Sequence, residues 1–383
     1  MRNIFSVYFN EQEALKTIEN LNYIRTCGSE GEIKALHFIH KQLKKCGLNP
    51  ILHSYKEKWV EPINSYLILE KYKIPVEPVV PLSFLASFKW MRREGLNVNI
   101  SGKLLKPWGE ASELASKILI DRFRPKQKVT SNVVGQIFFD KNPELIPYLL
   151  ASEKFIPSAY VSKEYKKFIT DFLGKTGRLR WNAKQTTRRF FNLVLIIKGY
   201  KFDKEVVVMC AHTDSFPGTV GASDNACGCA VLLEIAKWFK VNPPERTAIL
   251  CWFSGEELDR RGSRHFIKDY HQFLRNAILV INIDGGFEKG AGVPFINIST
   301  RSLLPRVRKW FRNFEIRIRE SKSSNAASFQ SIGIPTFWMT AHSKHSMHLP
   351  TDCPQNISSR NLRLIGKYSL MAGILFTSSS IGN

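Results

Sequence analysis

The chain has 383 residues, of which 44% are hydrophobic and 23% are charged. This length and composition exclude a wholly disordered, collagenous or coiled-coil chain, and they suit two to three domains or one large domain with an insertion. Lysine and arginine outnumber aspartate and glutamate by 56 to 33, which gives a formal net charge of +23. Because the basic residues are spread from Lys41 to Lys367, we interpret them as a basic surface and expect no nucleic-acid partner.

The apolar residues do not form a segment long enough to cross a membrane. No run approaches about 18 apolar residues, so no membrane span is expected. The apolar patch before Asn10 is too short for the core of a signal peptide. The 7 cysteines are an odd and low number for this length, and we interpret them as reduced thiols. Together these features predict a cytoplasmic protein.

Residues 12–47 are predicted to be mostly helical, with a break near Gly28. Ile33, Leu36 and Ile39 recur at helical spacing and predict one buried face. The glycine and proline that follow are typical of a helix end.

Residues 61–192 have a different pattern, in which short apolar runs alternate with polar stretches. The predicted elements are strands at 117–120, 133–139 and 156–161 and helices at 144–150 and 164–172. This pattern is typical of a small β-rich module with its own core. We therefore predict an inserted domain over 61–192, between the two parts of a larger domain at 1–60 and 193–383.

From residue 193 onward, strand-like apolar runs alternate with helical segments. The predicted strands are Leu193–Ile197, Val206–Ala211, Thr247–Phe253, Ala277–Ile283 and Pro335–Met339. The predicted helices are Gly228–Phe239, His265–Leu274, Leu304–Arg312 and Leu362–Phe376. Continuous apolar strands with helices between them predict an α/β fold, with a mixed, mostly parallel sheet covered by helices on both faces.

Side chains that can bind metals follow three of these strands. His212 comes directly after the second predicted strand, Glu256 and Glu257 follow the third, and Asp284 follows the fourth. Asp224 lies in a loop bounded by glycines, just before a predicted helix. Because sites in open α/β sheets form at the carboxyl ends of strands, we expect these side chains to converge on one crevice.

A further imidazole comes from the loop after the last predicted strand, where His342, His345 and His348 are the candidates. Two imidazoles and three carboxylates are ligand types that suit zinc. A catalytic zinc usually keeps three protein ligands and a water, so this set is too large for one ion. It suits two zinc ions that share one carboxylate, with one glutamate left to move a proton.

Six short motifs follow one another in one order along the chain. The motifs are Ala211–Asp214, Gly221–Asn225, Gly255–Glu257, Gly262–Ser263, Asn282–Asp284 and His348–Asp352. This series resembles the co-catalytic zinc aminopeptidase family, whose relatives include glutamate carboxypeptidase and glutaminyl cyclase. The resemblance covers about residues 195–376 and the helix start at Gly28–Glu32. It implies a zinc-exopeptidase fold, two Zn²⁺ ions, a peptide substrate and, most directly, aminopeptidase activity.

The resemblance also implies which residues bind the two ions. Asp224 corresponds to the ligand that bridges both ions. His212 and Asp284 correspond to the remaining ligands of one ion, and Glu257 and His348 to those of the other. His348 is favoured over the two other histidines because an aspartate stands four residues later, as in the family.

Three further features follow from the same resemblance. Glu256 corresponds to the general base that takes a proton from the activated water. Asp214 corresponds to a carboxylate that holds a ligand imidazole in one tautomer. The peptide bond between the bridging aspartate and the next residue, here Asp224–Asn225, is cis in the family.

The middle module resembles a protease-associated domain, which carries no catalytic residue. The chain has Ser324-Asn-Ala326 where the family often has Ser-Asp-His. This position does not bind metal, but the difference leaves the oxyanion donor open, with Ser321 and His345 as candidates.

Two other functions remain open at this point. A carboxypeptidase or dipeptidase of the same fold is the main alternative, because a basic protein suits the capture of a terminal carboxylate by arginine. A binding protein built on an inactive peptidase fold is the other. The sequence leaves the residue specificity and the oligomeric state open.

Overall fold

The computed structural model describes residues 8–79, 97–105, 117–120, 133–139, 158–161, 165–216, 218–321, 326–342, 348–349 and 351–378. The chain divides into a larger unit, Met1–Tyr55 with Arg189–Asn383, and a smaller unit, Lys56–Arg188. The strands are β1 (Ile51–Leu69), β2 (Tyr72–Pro75), β3 (Glu77–Val79), β4 (Asn97–Leu105), β5 (Lys117–Ile120), β6 (Val133–Phe139), β7 (Ser158–Val161), β8 (Thr176–Ile197), β9 (Phe202–His212), β10 (Arg246–Phe253), β11 (Ala277–Ile283), β12 (Phe295–Ile298), β13 (Arg317–Glu320) and β14 (Thr336–Thr340). The α-helices are α1 (Glu11–Asn20), α2 (Glu30–Lys45), α3 (Lys166–Thr170), α4 (Cys227–Val241), α5 (Arg261–Asp269), α6 (His271–Leu274), α7 (Leu304–Phe311), α8 (Ala327–Gln330) and α9 (Ser359–Thr377).

The sheet of the larger unit has the strand order β13-β12-β14-β11-β9-β10-β8. Its central strands β14, β11, β9 and β10 are parallel to one another. β12 is antiparallel to β14 and parallel to β13, and β8 is antiparallel to β10. The predicted mixed, mostly parallel sheet is confirmed.

Alternate residues of the central strands face two separate cores. On β9, Val207 and Met209 pack in the cluster that includes residues of α1, α2, α4, α7 and α9. Val206 and Val208 pack in a second cluster with residues of α5, α6 and α8. The helices therefore cover both faces of this sheet, and this is why its strands have continuous apolar sequences.

The predicted single helix His265–Leu274 is wrong. The structure has two helices there, because α5 begins at Arg261 and the chain turns at Tyr270 before α6. The apolar pattern begins only at Phe266, whereas the helix start follows a turn at Arg260, whose φ is 56°. β12 and α8 were not predicted, because elements of four residues are too short to show a periodic pattern.

In the smaller unit the strands follow the order β8-β4-β5-β6-β7-β3. β4, β5, β6 and β7 are parallel, and the pairs β8–β4 and β7–β3 are antiparallel. Leu67, Ile74 and Leu179 belong to its core. The helix predicted at 164–172 is shorter in the structure, and the one predicted at 144–150 lies outside the described residues. That this unit is a protease-associated domain stays a prediction.

Two other expectations concern the whole chain. None of the described helices is both long enough and apolar enough to cross a membrane. All seven cysteines are free thiols, as expected. The buried ones are Cys27, Cys210, Cys227, Cys229 and Cys251.

Candidate metal centre

Three neighbouring parallel strands carry predicted site residues to one edge of the sheet. β9 ends at His212, β10 ends three residues before Glu256, and β11 ends one residue before Asp284. The order β10-β9-β11 places their carboxyl ends side by side. This is the edge at which open α/β sheets form binding sites.

Asp224 reaches this edge from the loop before α4. The Asp224–Asn225 peptide bond is cis, as the family resemblance implies. The Asn225 side chain donates to the carbonyl oxygen of Ile283 at 2.9 Å and accepts from the backbone N–H of Gly228 at 3.0 Å. The loop is therefore tied both to the end of β11 and to the first turn of α4.

The structure brings all five predicted metal ligands together. His212 Nε2 lies 2.9 Å from Asp224 Oδ1 and 3.4 Å from Asp284 Oδ1. His348 Nε2 lies 3.2 Å from Asp224 Oδ2 and 3.3 Å from Glu257 Oε2. Asp224 therefore lies between the two imidazoles and turns one oxygen towards each of them. Ligand atoms of His212, Asp224 and Glu257 all lie within 4.8 Å of one another.

The chemistry of this donor set fits divalent metal ions. Burial alone would raise the pKa of Asp224, but the hydrogen bonds from His212 and His348 hold it below its ordinary value. Burial and the nearby Asp224 carboxylate raise the pKa of Glu257 to about 7. Glu257 Oε1 is buried without a hydrogen-bond partner. Buried carboxylates beside imidazoles, with one oxygen left unpaired, form a set of nitrogen and oxygen ligands that suits zinc.

Asp214 contacts the His212 imidazole and also holds the turn that contains Glu256 and Glu257. Its Oδ1 accepts the backbone N–H of Glu256 at 3.1 Å, and its Oδ2 accepts that of Glu257 at 3.0 Å. His212 Nδ1 lies 3.0 Å from the Asp214 carbonyl oxygen and 3.4 Å from Asp214 Oδ1. The backbone carbonyl is thus the nearer partner of the imidazole, and the carboxylate fixes the two glutamates.

Asp352 connects the loop of Asp224 with the segment that carries His348. Its two carboxylate oxygens accept the backbone N–H groups of Ser223 at 2.6 Å and Asp224 at 3.1 Å. Asp352 is 1% exposed. One buried carboxyl group therefore connects the backbone at Asp224 with the segment that carries His348.

Residues 192–372 match the family model described as peptidase family M28. These residues are similar to that family and are called the M28 segment below. Aminopeptidase YwaD of Bacillus subtilis is 25% identical over 267 residues, which cover 63% of this chain and 57% of YwaD. The vacuolar membrane protease of Candida albicans is 29% identical over 104 residues, which cover 27% of this chain and 12% of that protein. The chain therefore spans little more than half of the first of these relatives and a small part of the second.

Solved structures share the fold over almost the whole length of this chain. BSAP, a zinc aminopeptidase from Bacillus subtilis, superposes with a TM-score of 0.77 and 19% identity, and the match covers 99% of this chain and 98% of BSAP. The peptidase M28 precursor from Shewanella amazonensis gives a TM-score of 0.66 at 18% identity, with 97% and 94% covered. At these identities the likeness establishes the fold.

Arg25, which the sequence analysis did not identify, supports the M28 segment from outside it. Arg25 is fully buried, and its guanidinium donates to the backbone carbonyl oxygens of Thr213 at 3.0 Å, Val220 at 2.7 Å and Gly221 at 2.9 Å. These carbonyls flank the segments that carry His212 and Asp224. A lone arginine before a helix carries no signal of burial, because its partners are backbone atoms distant in sequence.

Two aromatic residues of the M28 segment also escaped the sequence analysis. Phe216 stacks on the imidazole of His348, with ring centroids 4.2 Å apart and an interplanar angle of 15°. Trp338 Nε1 donates to the carbonyl oxygen of Asp284 at 3.1 Å. Both contacts hold a predicted ligand in place, and apolar periodicity alone identifies such residues only as core.

The other candidates have different surroundings. His342 packs against Phe295, with ring centroids 4.9 Å apart. Ser321 follows β13 at the edge of the sheet, where its N–H donates to Ile298 at 3.0 Å. His345 and residues 324–325 lie outside the described residues. The oxyanion donor therefore stays open.

Proposed function

We propose that the chain is a di-zinc aminopeptidase, which removes N-terminal residues from peptides by the attack of water. The observation that carries this proposal is the position of Asp224, with one carboxylate oxygen towards His212 and the other towards His348. A carboxylate in this position is suited to bridge two metal ions. The aminopeptidase YwaD among the relatives supports the choice of reaction.

Five residues would hold the two zinc ions. Asp224 would bridge them, His212 and Asp284 would complete one site, and Glu257 and His348 would complete the other. When bound, the ions would supply the Lewis-acid chemistry that activates a water and polarises the scissile carbonyl.

Glu256 is the proposed general base. It borders the same small cavity as His212. Burial raises the pKa of Glu256 well above its ordinary value, which suits a group that takes up a proton during the reaction. Glu256 would take a proton from the attacking water and deliver it to the leaving amine. Asp214 would fix the positions of Glu256 and Glu257 relative to each other, because it accepts the backbone N–H groups of both.

The charge of the centre supports cleavage next to a free amine. A free α-amine is a cation, and the carboxylates of Asp224, Glu257 and Asp284 lie together at the site. A carboxypeptidase of the same fold is the second candidate, because Arg260 lines the cavity and guanidinium groups bind carboxylates. Arg260 is, however, already paired with Asp259 at 3.0 Å, which favours the aminopeptidase.

A peptide set with free, N-acetylated and C-amidated ends tests the proposal. Hydrolysis is measured with the protein as purified, after chelation, and after zinc is restored. Cleavage that needs both zinc and a free amine would support the aminopeptidase. Cleavage that needs a free carboxylate would replace it with the carboxypeptidase, and zinc-independent cleavage would contradict both.

We also propose that the chain works in the cytoplasm. The free state of all seven cysteines supports this location, because reducing compartments keep thiols unpaired.

A further inference from the structure

Glu32, near the start of α2, contacts the ends of two strands that carry site residues. Its side chain is buried, with 2% of the residue exposed. Glu32 Oε1 lies 3.2 Å from the hydroxyl of Thr213, which stands between His212 and Asp214. The Ser254 side chain, two residues before Glu256, also interacts with the Glu32 carboxyl group. One side chain from the N-terminal region therefore reaches both strand ends.

The other contacts of Glu32 fix it to its own helix. Glu32 Oε2 accepts the backbone N–H of Gly28 at 2.6 Å, and the Glu32 N–H donates to Ser29 Oγ at 3.2 Å. This is close to a capping box, in which the glutamate in the first turn accepts from the residue at the helix start. The carboxyl group is thus held at both ends and does not depend on the metal centre for its position.

We propose that Glu32 is a positioning residue, which holds the His212–Asp214 segment against the Ser254–Glu257 segment as a neutral carboxylic acid. This inference rests on the proposed function, because it concerns how this chain arranges its zinc ligands. Glu32 touches neither the ligand side chains nor the cavity, so it acts through Thr213 and Ser254.

The hydrogen-bond geometry supports the neutral form. The Thr213 hydroxyl has one hydrogen, and two oxygens lie within reach of it, Glu32 Oε1 at 3.2 Å and the Phe253 carbonyl oxygen at 3.0 Å. If Glu32 carries a proton, it donates to Thr213 Oγ, and Thr213 donates to Phe253. Both contacts are then hydrogen bonds, as expected for buried polar groups, which rarely lack a partner.

The surroundings of Glu32 favour the same form. The titratable groups that face it are Asp214, Cys27 and Tyr55, and Arg261 is the basic group near Cys27. Burial and the Asp214 carboxylate raise the pKa of Glu32 to about 8.

Two substitutions of Glu32 test whether its side chain acts as a neutral acid or as a charged carboxylate. Glu32→Gln keeps the shape and a hydrogen-bond donor but has no charge in any state. Glu32→Met has a similar volume and no polar atom at this position. The matched control is Glu30→Gln, which changes an exposed acid in the same helix turn.

The experiment measures zinc affinity by competition with a chelator, together with kcat and KM. Glu32→Gln is expected to stay within about threefold of the wild type in all three. Glu32→Met is expected to lower zinc affinity or kcat by about 10–100-fold, the usual effect of losing a residue that orients metal ligands. KM should change little, because Glu32 does not line the cavity beside Glu256. Circular dichroism checks that the variants are folded.

Two results would overturn the inference while the proposed function stands. A loss in Glu32→Gln as large as in Glu32→Met would mean that the charge is needed. A Glu32→Met protein equal to the wild type would mean that Glu32 positions nothing. If Glu32→Met does not fold, Thr213→Val removes the same link without changing α2, and unchanged zinc affinity there would overturn the inference. A wild-type protein without affinity for zinc would overturn the proposed function and this inference with it.

Discussion

Glu256 and Glu257 are adjacent in sequence, yet the structure gives them different surroundings. Glu257 lies 3.3 Å from His348, whereas Glu256 borders the cavity beside His212. The proposed proton-transfer role of Glu256 and the proposed ligand role of Glu257 agree with this difference. Both depend on Asp214, which accepts both of their N–H groups.

Replacing Glu256 with glutamine should therefore remove the base and leave the ligands in place. We expect kcat to fall by about 10²–10⁴-fold, the usual contribution of a general base, with zinc content near that of the wild type. Elemental analysis and steady-state kinetics measure the two quantities, and Glu30→Gln is the control. Normal turnover in Glu256→Gln would contradict the assignment of the base.

Arg25 gives a second prediction for a single residue. Arg25→Met would remove the charged donor to the carbonyls of Thr213, Val220 and Gly221. Since a hydrogen bond to a charged group contributes about 1.5–3 kcal/mol, the free energy of unfolding should fall by about 1.5–3 kcal/mol. Urea denaturation measures this quantity. Arg363→Met, at an exposed arginine, should change it by less than about 0.5 kcal/mol, and equal effects of the two would contradict the role of Arg25.

Among the secondary-structure elements, the central strands were predictable and several others were not. β9, β10 and β11 are buried on both faces, so their sequences are continuous apolar runs that stand out from the flanking residues. The long strands β1 and β8 contain many charged and polar residues, and only the last part of β8 was predicted. Their length depends on pairing with strands distant in sequence, which a local pattern does not contain.

The same distinction applies to the metal centre. His212 and Asp284 were predictable because each directly follows a buried strand, and Asp224 because glycines bound its loop. Arg25 and Glu32 were not, because their partners lie about 180 or more residues away along the chain. The sequence predicted which residues would carry the chemistry, and the tertiary structure was needed to find those that hold them.

The junction between the Asp224 loop and α4 gives a prediction at the scale of elements. A Cβ atom at Gly228 would lie 2.2 Å from Asn225 Oδ1 and 2.5 Å from the carbonyl oxygen of Ile283. Gly228→Ala should therefore displace Asn225, lower stability by about 1–3 kcal/mol and weaken zinc binding. Gly292→Ala is the control, because a Cβ there meets nothing within 4 Å. Zinc affinity and urea denaturation that are the same in both variants would contradict this reading of the junction.

For the whole molecule, the proposed ligand cluster would link metal binding to folding. Asp224, Glu257 and Asp284 are carboxylates gathered in a buried place, and bound cations would offset their repulsion. Chelation should lower the thermal unfolding midpoint, and restored zinc should raise it again. The stabilisation should be about 4 kcal/mol when free zinc is about 1,000 times the dissociation constant.

Asp224→Asn provides the control for this experiment. Its midpoint should respond much less to chelation, because the neutral amide has only one oxygen and would bridge two ions poorly. A wild-type midpoint that chelation leaves unchanged would mean that the cluster holds no metal under these conditions.

The burial of the thiols has a consequence for tolerance of oxidants. The ligand atoms gathered at the candidate centre, as far as the described residues go, are nitrogen and oxygen, and five of the seven cysteines are buried. Burial raises the pKa of Cys27 and Cys251 well above the ordinary value, so these sulfurs stay as unreactive thiols. Peroxide, which releases zinc from thiolate sites by oxidising their sulfur, would find no such ligand here. The proposed peptide hydrolysis at this centre would therefore continue under oxidative conditions that inactivate cysteine peptidases.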